Sequence, residues 1–265
     1  MNRPIGVFDS GVGGLTVVKQ LMRILPQEAI VYFGDTARVP YGIKSKKTIT
    51  KFTLENILFL LKQNVKMIVV ACNTSSSIAL PLIRRHFKIP IIGVIAPGVK
   101  QAVYATRSKK IGVIATKATI NSGAYERQIA QLDSTIKVFN QPCPLLIPLA
   151  EEGWAHQKAT KDIAAFYLKP LKNAKIDTLI LGCTHFPILK PVLKSVLGSS
   201  VQLVDSAQQV ACQTREVLTN EGLINARKTK GKYLFYVSDE LQQFKKLAKN
   251  FLGQEIKNVR KVNHV

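Results

Sequence analysis

Short apolar runs along the chain alternate with segments in which apolar residues recur at the helical period. Apolar runs between turn residues predict strands, and the helical period predicts amphipathic helices. The predicted strands cover 4–9, 29–33, 67–71, 89–95, 110–115, 135–139, 177–182, 201–204 and 233–237. The predicted helices cover 15–25, 46–63, 75–87, 99–106, 119–132, 159–173, 188–197, 206–220 and 239–251. Because strands alternate with helices, the pattern predicts an α/β fold with mostly parallel sheets flanked by helices.

The chain contains a weak internal repeat. An Ile-Gly-Val strand at 5–7 and another at 111–113 are each followed, about seventy residues later, by a strand, a cysteine and a threonine. The two cysteines are Cys72 and Cys183. The repeat predicts two pseudo-symmetric lobes, each built on its own sheet, with the active site in the cleft between them.

The boundaries of the lobes follow from a turn signal and from lobe size. The residues Ala-Pro-Gly at 96–98 interrupt the apolar run before them and mark a hinge. We predict that the second lobe comprises 98–206. The first lobe is predicted to comprise 1–97 plus 207–265, because without the C-terminal part it would be the smaller one.

Chemically competent side chains follow several predicted strands at the point where each strand ends. They are Asp9, Asp35, Cys72, Thr116 and Cys183. Sites in parallel α/β sheets lie at the carboxyl ends of the strands. We therefore expect these five residues to lie along the edge of each sheet that faces the site.

Five interpretations of the two cysteines are open from the residues alone. A thiol at a helix N-terminus has a stabilised thiolate and can act as base or nucleophile, whereas a cysteine ending a buried strand can also be a small apolar residue. A zinc site is disfavoured, because Cys183 and His185 have no second ligand pair. A disulfide would need the two thiols in contact. A nucleophilic Cys183 with His185 as base is the remaining alternative, although their two-residue separation is awkward for direct pairing.

Short polar segments near the cysteines form candidate anion sites. The Gly-rich turn at 10–14 lacks both the dinucleotide fingerprint and a P-loop lysine, but Ser10 and backbone N–H groups can hold a carboxylate. Asn73, Thr74 and Thr184 lie at predicted helix starts, where simple N-capping is the other interpretation. Together they suit a small dicarboxylate. The loop with Tyr41 and Gly42 could cover such a ligand, and Glu151 or Glu152 could reach it.

Composition narrows the class of protein. The chain has 265 residues, 46% of them hydrophobic, and only four cysteines, so it is globular without a disulfide framework. We expect neither a signal peptide nor a membrane span, because no apolar run approaches the roughly 18 residues that a span needs. A cytoplasmic location with reduced thiols follows from these features as an expectation.

The net charge of +22 raises the question of an anionic partner. Basic runs lie at 44–47, 107–110, 227–232 and 257–261. Nucleic-acid binding is allowed by this charge, but the runs are scattered and lack interleaved aromatic residues. A solvated basic surface is therefore the favoured interpretation.

Taken together, six motifs resemble those of the cofactor-independent glutamate racemases in the aspartate/glutamate racemase superfamily. They occur in the family's order between residue 5 and about residue 206. The motifs are DSGVGG at 9–14, GDT at 34–36, PYG at 40–42, ACNTS at 71–75, EEG at 151–153 and GCTHFP at 182–187.

The resemblance implies interconversion of L- and D-glutamate without a cofactor or metal, supplying D-glutamate for peptidoglycan synthesis. It implies that Cys72 acts on D-glutamate and Cys183 on L-glutamate, as acid and base on opposite faces of the α-carbon. Asp9 and His185 would assist the thiols, with Asp35 and Glu151 as further candidates. The implied substrate-binding residues are Ser10, Tyr41, Gly42, Asn73, Thr74, Thr116 and Thr184.

The resemblance leaves two alternatives and implies two further properties. A relative acting on aspartate or another acidic amino acid would share the thiol pair, and a basic nucleic-acid-binding role is the alternative from another class. A homodimer is expected, because dimerisation is common in the family. Some relatives carry an N-terminal extension that binds a cell-wall precursor as activator; here the first motif starts at Asp9, so we expect no such activation.

Overall fold

The computed structural model describes residues 2–226 and 229–263 and contains two parallel sheets flanked by helices. Residues 227 and 228, which begin a basic run, lie outside the described residues. The strands are β1 Ile5–Asp9, β2 Ile30–Gly34, β3 Met67–Val70, β4 Ile91–Gly93, β5 Lys110–Ala115, β6 Lys137–Pro142, β7 Thr178–Gly182, β8 Gln202–Val204, β9 Tyr233–Val237 and β10 Val259–Lys261. The predicted α/β class with two parallel sheets is confirmed.

Twelve α-helices are present in the described residues, together with short 3-10 turns. The first six are α1 Leu15–Ile24, α2 Lys46–Lys62, α3 Asn73–Ile78, α4 Leu80–Ile83, α5 Ile95–Ala105 and α6 Lys117–Asn121. The others are α7 Ala124–Leu132, α8 Leu146–Glu151, α9 Lys158–Asn173, α10 Lys190–Leu197, α11 Ser206–Asn220 and α12 Leu241–Leu252. None of them is long and apolar enough to serve as a membrane span.

The sheet topology brings the cysteine-bearing strands into equivalent positions. The first sheet has the order β10-β9-β2-β1-β3-β4, and the second has the order β6-β5-β7-β8. Every pairing in both sheets is parallel. β1 pairs with β3, and β5 pairs with β7, so the segments before Cys72 and Cys183 each adjoin the Ile-Gly-Val strand of the same sheet.

Burial explains why these strands read as continuous apolar runs. All residues of β1, β2, β3 and β7 are buried, as expected for strands covered by helices on both faces. Helix α11 packs against α1 and α5, and α5 packs against α7. These contacts join helices of the two sheets into one apolar core.

Proline and glycine account for the main differences from the predicted elements. The residues at 96–98 do not form a turn between elements. They lie in the first turn of α5, where the missing N–H of Pro97 costs no intrahelical hydrogen bond. The predicted helix 119–132 is split at Gly123, whose φ of 63° is left-handed. The predicted helix 75–87 begins earlier, at Asn73, and is interrupted at Ala79.

Two elements were not predicted. Helix α8 forms within the proline-containing stretch 142–153, and β10 adds an edge strand beside β9. Both are short, and β10 has no alternating apolar pattern, since two of its three residues are exposed cations. Neither therefore carries a periodic signal that sequence reasoning could detect.

A fully buried ion pair joins the segments that lead into β2 and β3, at the end of the first sheet opposite the site. The Nζ of Lys66 lies 2.6 Å from Glu28 Oε2, and both side chains are 1% exposed. Lys66 also donates to the carbonyl oxygen of Leu223 at 2.7 Å, and Glu28 Oε1 accepts from the backbone N–H of Asn225 at 2.6 Å. The pair thus ties the segment after α11 to the start of the first sheet.

We expect Lys66→Met to lower the free energy of unfolding by about 3–5 kcal/mol, because it leaves the Glu28 carboxylate buried without its cation. Urea unfolding would measure the change. Lys158→Met, which removes the exposed partner of Asp162, should leave the midpoint unchanged and serves as the control. The double variant Lys66→Met with Glu28→Gln should recover most of the loss; a loss equal to that of Lys66→Met alone would contradict the explanation.

Candidate active site

One cavity of about 380 Å³ lies between the carboxyl edges of the two sheets. Its walls contain eleven of the thirteen residues that the sequence singled out. They are Ser10, Tyr41, Gly42, Cys72, Asn73, Thr74, Thr116, Glu151, Cys183, Thr184 and His185. Asp9 and Asp35 are completely buried and do not line it. The cavity therefore gathers residues from both sheets, which are far apart in the chain.

Cys72 occupies the N-cap position of α3, directly beyond β3. Its side chain is 4% exposed. Burial, and then the negative charge of Asp9, raise the pKa of Cys72 to about 11, although hydrogen bonds with Ser75 and Ser10 oppose the rise. The expectation that a helix N-terminus would favour the thiolate does not hold here, because desolvation outweighs the helix contribution. Cys72 is a thiol at neutral pH.

Cys183 lies in a different electrostatic environment. Its Sγ is 3.7 Å from His185 Nδ1, so the two-residue separation does permit direct pairing. His185 Nε2 lies 2.8 Å from Glu151 Oε1. Burial alone would lower the pKa of His185, but hydrogen bonds to Cys183 and Glu151 raise it to about 10. At neutral pH the imidazole is therefore protonated and presents a positive charge to the Cys183 sulfur.

Asp9 is held below the cavity by the Gly-rich turn. Its Oδ2 accepts from the backbone N–H groups of Gly11 at 3.2 Å and Gly14 at 3.0 Å. Its Oδ1 accepts from Thr184 Oγ1 at 3.4 Å, across from the second sheet. The pKa of Asp9 is raised, because burial outweighs the lowering by the charge of His185 and by the turn's N–H groups. A side chain at Gly13 would place its Cβ 2.3 Å from Thr184 Oγ1, so glycine permits this close approach.

Hydroxyl groups meet where α3 of the first sheet approaches α6 of the second. Thr74 Oγ1 lies 3.1 Å from both Thr116 Oγ1 and Thr119 Oγ1, and the last two are 3.0 Å apart. Thr116 also caps α6 by accepting from the backbone N–H of Thr119. Capping and cavity lining thus coexist in Thr116, and the sequence interpretations of these threonines are not exclusive.

Asn73 and Tyr41 are each oriented by a buried partner. The Oδ1 of Asn73 accepts from Tyr125 Oη at 2.7 Å. The Oη of Tyr41 donates to Asp35, which therefore supports a cavity wall from behind. Gly42 packs against Thr116, and a Cβ at Gly42 would lie 2.5 Å from the Thr116 Cβ. The loop with Tyr41 and Gly42 thereby touches the second sheet's side of the cavity.

Sequence reasoning missed several other residues of the cavity wall. Helix α8 and the turn before it contribute Pro144, Ile147 and Pro148, while α6 contributes Lys117. Among the cavity-lining residues that the structure describes, Lys117 is the one lysine or arginine. The internal repeat could have located the turn after β6, because that turn also lies at a strand's carboxyl end.

Comparisons with known proteins place this geometry in context. The family model described as Asp/Glu/Hydantoin racemase matches residues 5–214. Glutamate racemases from Neisseria meningitidis serogroup A and Geobacter metallireducens are 49% and 44% identical, each over 98% of this chain and 97% of the relative. The crystal structure of glutamate racemase from Francisella tularensis in complex with D-glutamate has a TM-score of 0.93 and 42% identity, covering 99% of this chain and 98% of that one.

The environment of Cys72 predicts a measurable reactivity. We expect its alkylation by iodoacetamide to keep accelerating as pH rises toward about 11, the pKa of the thiol. Asp9→Asn should speed alkylation at fixed pH by about tenfold, because it removes a negative charge that opposes the thiolate. Mass spectrometry of the Cys72 peptide would measure the rate.

Cys212 provides the control within the same sample, since it lies on α11 and its rate should be equal in both proteins. An Asp9→Asn rate at Cys72 equal to the parent's would show that Asp9 does not hold this thiol protonated.

Proposed function

The chain belongs to the Asp/Glu/Hydantoin racemase family and, within it, to the glutamate racemases, and we propose that it interconverts L- and D-glutamate with two cysteines as acid and base. The observation that carries the proposal is the placement of two thiols from equivalent strand ends of two sheets in the wall of one cavity. Inversion at a carbon needs a base on one face and an acid on the other, and two related sheets supply such a pair.

The two cysteines account for both proton transfers of the proposed reaction. From L-glutamate, the Cys183 thiolate takes the α-proton and leaves a carbanion. The Cys72 thiol then donates its proton to the opposite face, which gives D-glutamate, a Cys183 thiol and a Cys72 thiolate. From D-glutamate the same transfers run in reverse, with Cys72 as base and Cys183 as acid.

The charged neighbours divide the assistance between the thiols. The protonated His185, held by Glu151, lies beside the Cys183 sulfur, and we assign it to assist the thiol that acts on L-glutamate. Burial, and then the charge of Asp9, raise the pKa of Cys72, so this thiol stays protonated as the matching acid. When D-glutamate reacts, Cys72 is the base. We assign Asp9 the role of assisting proton transfer at this thiol.

The polar lining would bind the substrate carboxylates and amino group. Ser10, Asn73, Thr74, Thr116 and Thr184 present hydroxyl or amide groups, and Tyr41 and Gly42 also line the cavity. These neutral groups hold a dicarboxylate without neutralising the negative charge of the thiolate. Displacement of water by the bound substrate would strengthen each of these hydrogen bonds near the reacting carbon.

Other properties are proposed on the same basis. The relatives' names support glutamate over aspartate as substrate. We further propose that the enzyme works in the cytoplasm as a homodimer and supplies D-glutamate for peptidoglycan. We propose that the two lobes comprise 1–97 plus 207–265 and 98–206, because each sheet takes all its strands from one of these ranges. These lobes would close over the substrate.

Incubation with L-glutamate in deuterated water tests the proposal directly. We expect D-glutamate to accumulate with deuterium at the α-carbon, without any added cofactor. Cys72→Ser and Cys183→Ser should each slow racemisation on the order of 10²–10⁴-fold, the contribution of a positioned acid or base. Chiral chromatography with mass spectrometry would follow both quantities.

The other cysteines and another amino acid provide the controls. Cys143→Ser and Cys212→Ser should retain racemisation, because neither thiol lines the cavity. Faster exchange with aspartate than with glutamate would favour the other acidic substrate. Parental rates in either Cys72→Ser or Cys183→Ser would refute the two-thiol mechanism.

The raised pKa of His185 predicts the alkaline limb of the pH profile. The protonated imidazole is the supporting form, so kcat/KM for L-glutamate should be maintained below about pH 10 and lost above it. Glu151→Gln should move this limb to lower pH, because Glu151 is one of the groups that raise the pKa of His185. Initial rates across pH would measure the alkaline limb of the parent protein and that of Glu151→Gln.

Glu152→Gln is the matched control, since it removes the adjacent, exposed carboxylate at the end of the same helix. Titration of the substrate affects all three proteins equally. An alkaline limb shared by Glu151→Gln and Glu152→Gln would contradict the assignment to His185.

A further inference from the structure

Four side chains behind the cavity form a closed ring of hydrogen bonds. Arg38 Nε donates to Asp35 Oδ2 at 2.6 Å, and Arg38 Nη2 donates to Asn56 Oδ1 at 3.1 Å. Asn56 Nδ2 donates to Tyr41 Oη at 3.0 Å, and Tyr41 Oη donates to Asp35 Oδ2. We call these four residues the Tyr41 ring.

Every donor and acceptor in the Tyr41 ring has one consistent assignment. Burial and the charge of Asp35 raise the pKa of Tyr41, so the phenol keeps its proton and donates it to the carboxylate. The phenol oxygen is then free to accept from Asn56, which turns the amide oxygen toward Arg38. Asp35, Asn56 and Tyr41 are at most 1% exposed, so a lost bond could not be replaced by water without opening the core.

The ring encloses a short loop that forms part of the cavity wall. Between Arg38 and Tyr41 the chain runs through Val39 and Pro40, and residues 39–43 all line the cavity. Asn56 lies on α2, and Asp35 follows β2, so the ring ties this loop to two rigid elements. Ser238, just beyond β9, donates to Asp35 Oδ1 at 3.1 Å and holds the carboxylate from the other side.

We infer that Arg38 and Asn56 are positioning residues that, through Asp35 and Tyr41, hold loop 39–43 in its substrate-binding conformation. Asp35 then acts as the junction of this ring and not as an assistant to the thiols. Arg38 is suited to the position because its planar fork reaches Asp35, Asn56 and Glu55 at once, whereas a lysine ammonium could not meet all three with this geometry. Its guanidinium also lies 3.9 Å from the centre of the Phe52 ring, which fixes its plane.

The kinetic test uses Arg38→Met and Asn56→Leu, and this part rests on the proposed function. If the loop is released, only a fraction of molecules is competent to bind, and KM for glutamate rises by the inverse of that fraction. We expect KM to rise roughly five- to thirtyfold, as for one or two kcal/mol, with kcat changed much less. Tyr41→Phe opens the ring by removing the hydroxyl that joins Asp35 and Asn56. In this background the same two substitutions should add little to KM.

Lys51→Met is the matched control. Lys51 lies 3.9 Å from Glu55, the carboxylate that also contacts Arg38, but it takes no part in the ring. Its KM should equal the parent's. Arg38→Lys should recover part of the effect of Arg38→Met, because an ammonium can still reach Asp35.

A second readout is independent of catalysis. Trypsin cleaves after Lys44, immediately beyond the loop, and a released loop should be cut there roughly five- to thirtyfold faster. Mass spectrometry would identify the new N-terminus at Ser45 in the Arg38→Met and Asn56→Leu proteins and would compare it with Lys51→Met.

The two readouts separate the possible failures. Faster cleavage after Lys44 in a protein without racemase activity would overturn the proposed function and retain the ring. Parental KM and parental cleavage in both ring variants, or equal changes in Lys51→Met, would overturn the ring's positioning role. A lower melting temperature with unchanged KM would likewise show that the ring only stabilises the fold.

Discussion

The buried carboxylate of Asp9 is the constraint on which the two halves of the site depend. It has no exposed surface, so its charge must be met by the N–H groups of Gly11 and Gly14 and by Thr184 from the other sheet. These contacts require the Gly-rich turn to approach Thr184 closely, which only residues without a Cβ permit at Gly13. The same charge adds to the effect of burial in raising the pKa of Cys72. One buried anion therefore links the turn, the approach of the two sheets and the state of one thiol.

The symmetry of the sheets does not extend to the chemistry of the thiols. Burial and the negative charge of Asp9 raise the pKa of Cys72, whereas the Cys183 sulfur lies beside the protonated imidazole of His185. The two related strand ends therefore place their thiols beside opposite charges.

Sequence reasoning located the site well where backbone geometry decides position. Thr116 and Cys183 follow neighbouring parallel strands of one sheet and Cys72 follows a parallel strand of the other, so the apolar pattern places each at the carboxyl edge of its own sheet. It failed for α8, whose short length gives no periodic signal, and for Pro97, which is compatible with both a turn and a first helical turn. It also misjudged the pKa of Cys72, because desolvation depends on three-dimensional burial, which a single sequence does not reveal.

The partners of Asp35 show why a motif identifies a residue more readily than its role. Asp9 ends β1 and Asp35 directly follows the neighbouring strand β2, and sequence position alone suggests similar chemistry. In the structure, Asp9 adjoins Cys72 and Thr184, whereas Asp35 meets Arg38, Tyr41 and Ser238. Arg38 neutralises Asp35 locally, and a neutralised carboxylate has little remaining field to offer a thiol. The carboxylate beside Cys72 is placed to act on the thiol, and the one paired with Arg38 is placed to hold the geometry of the loop.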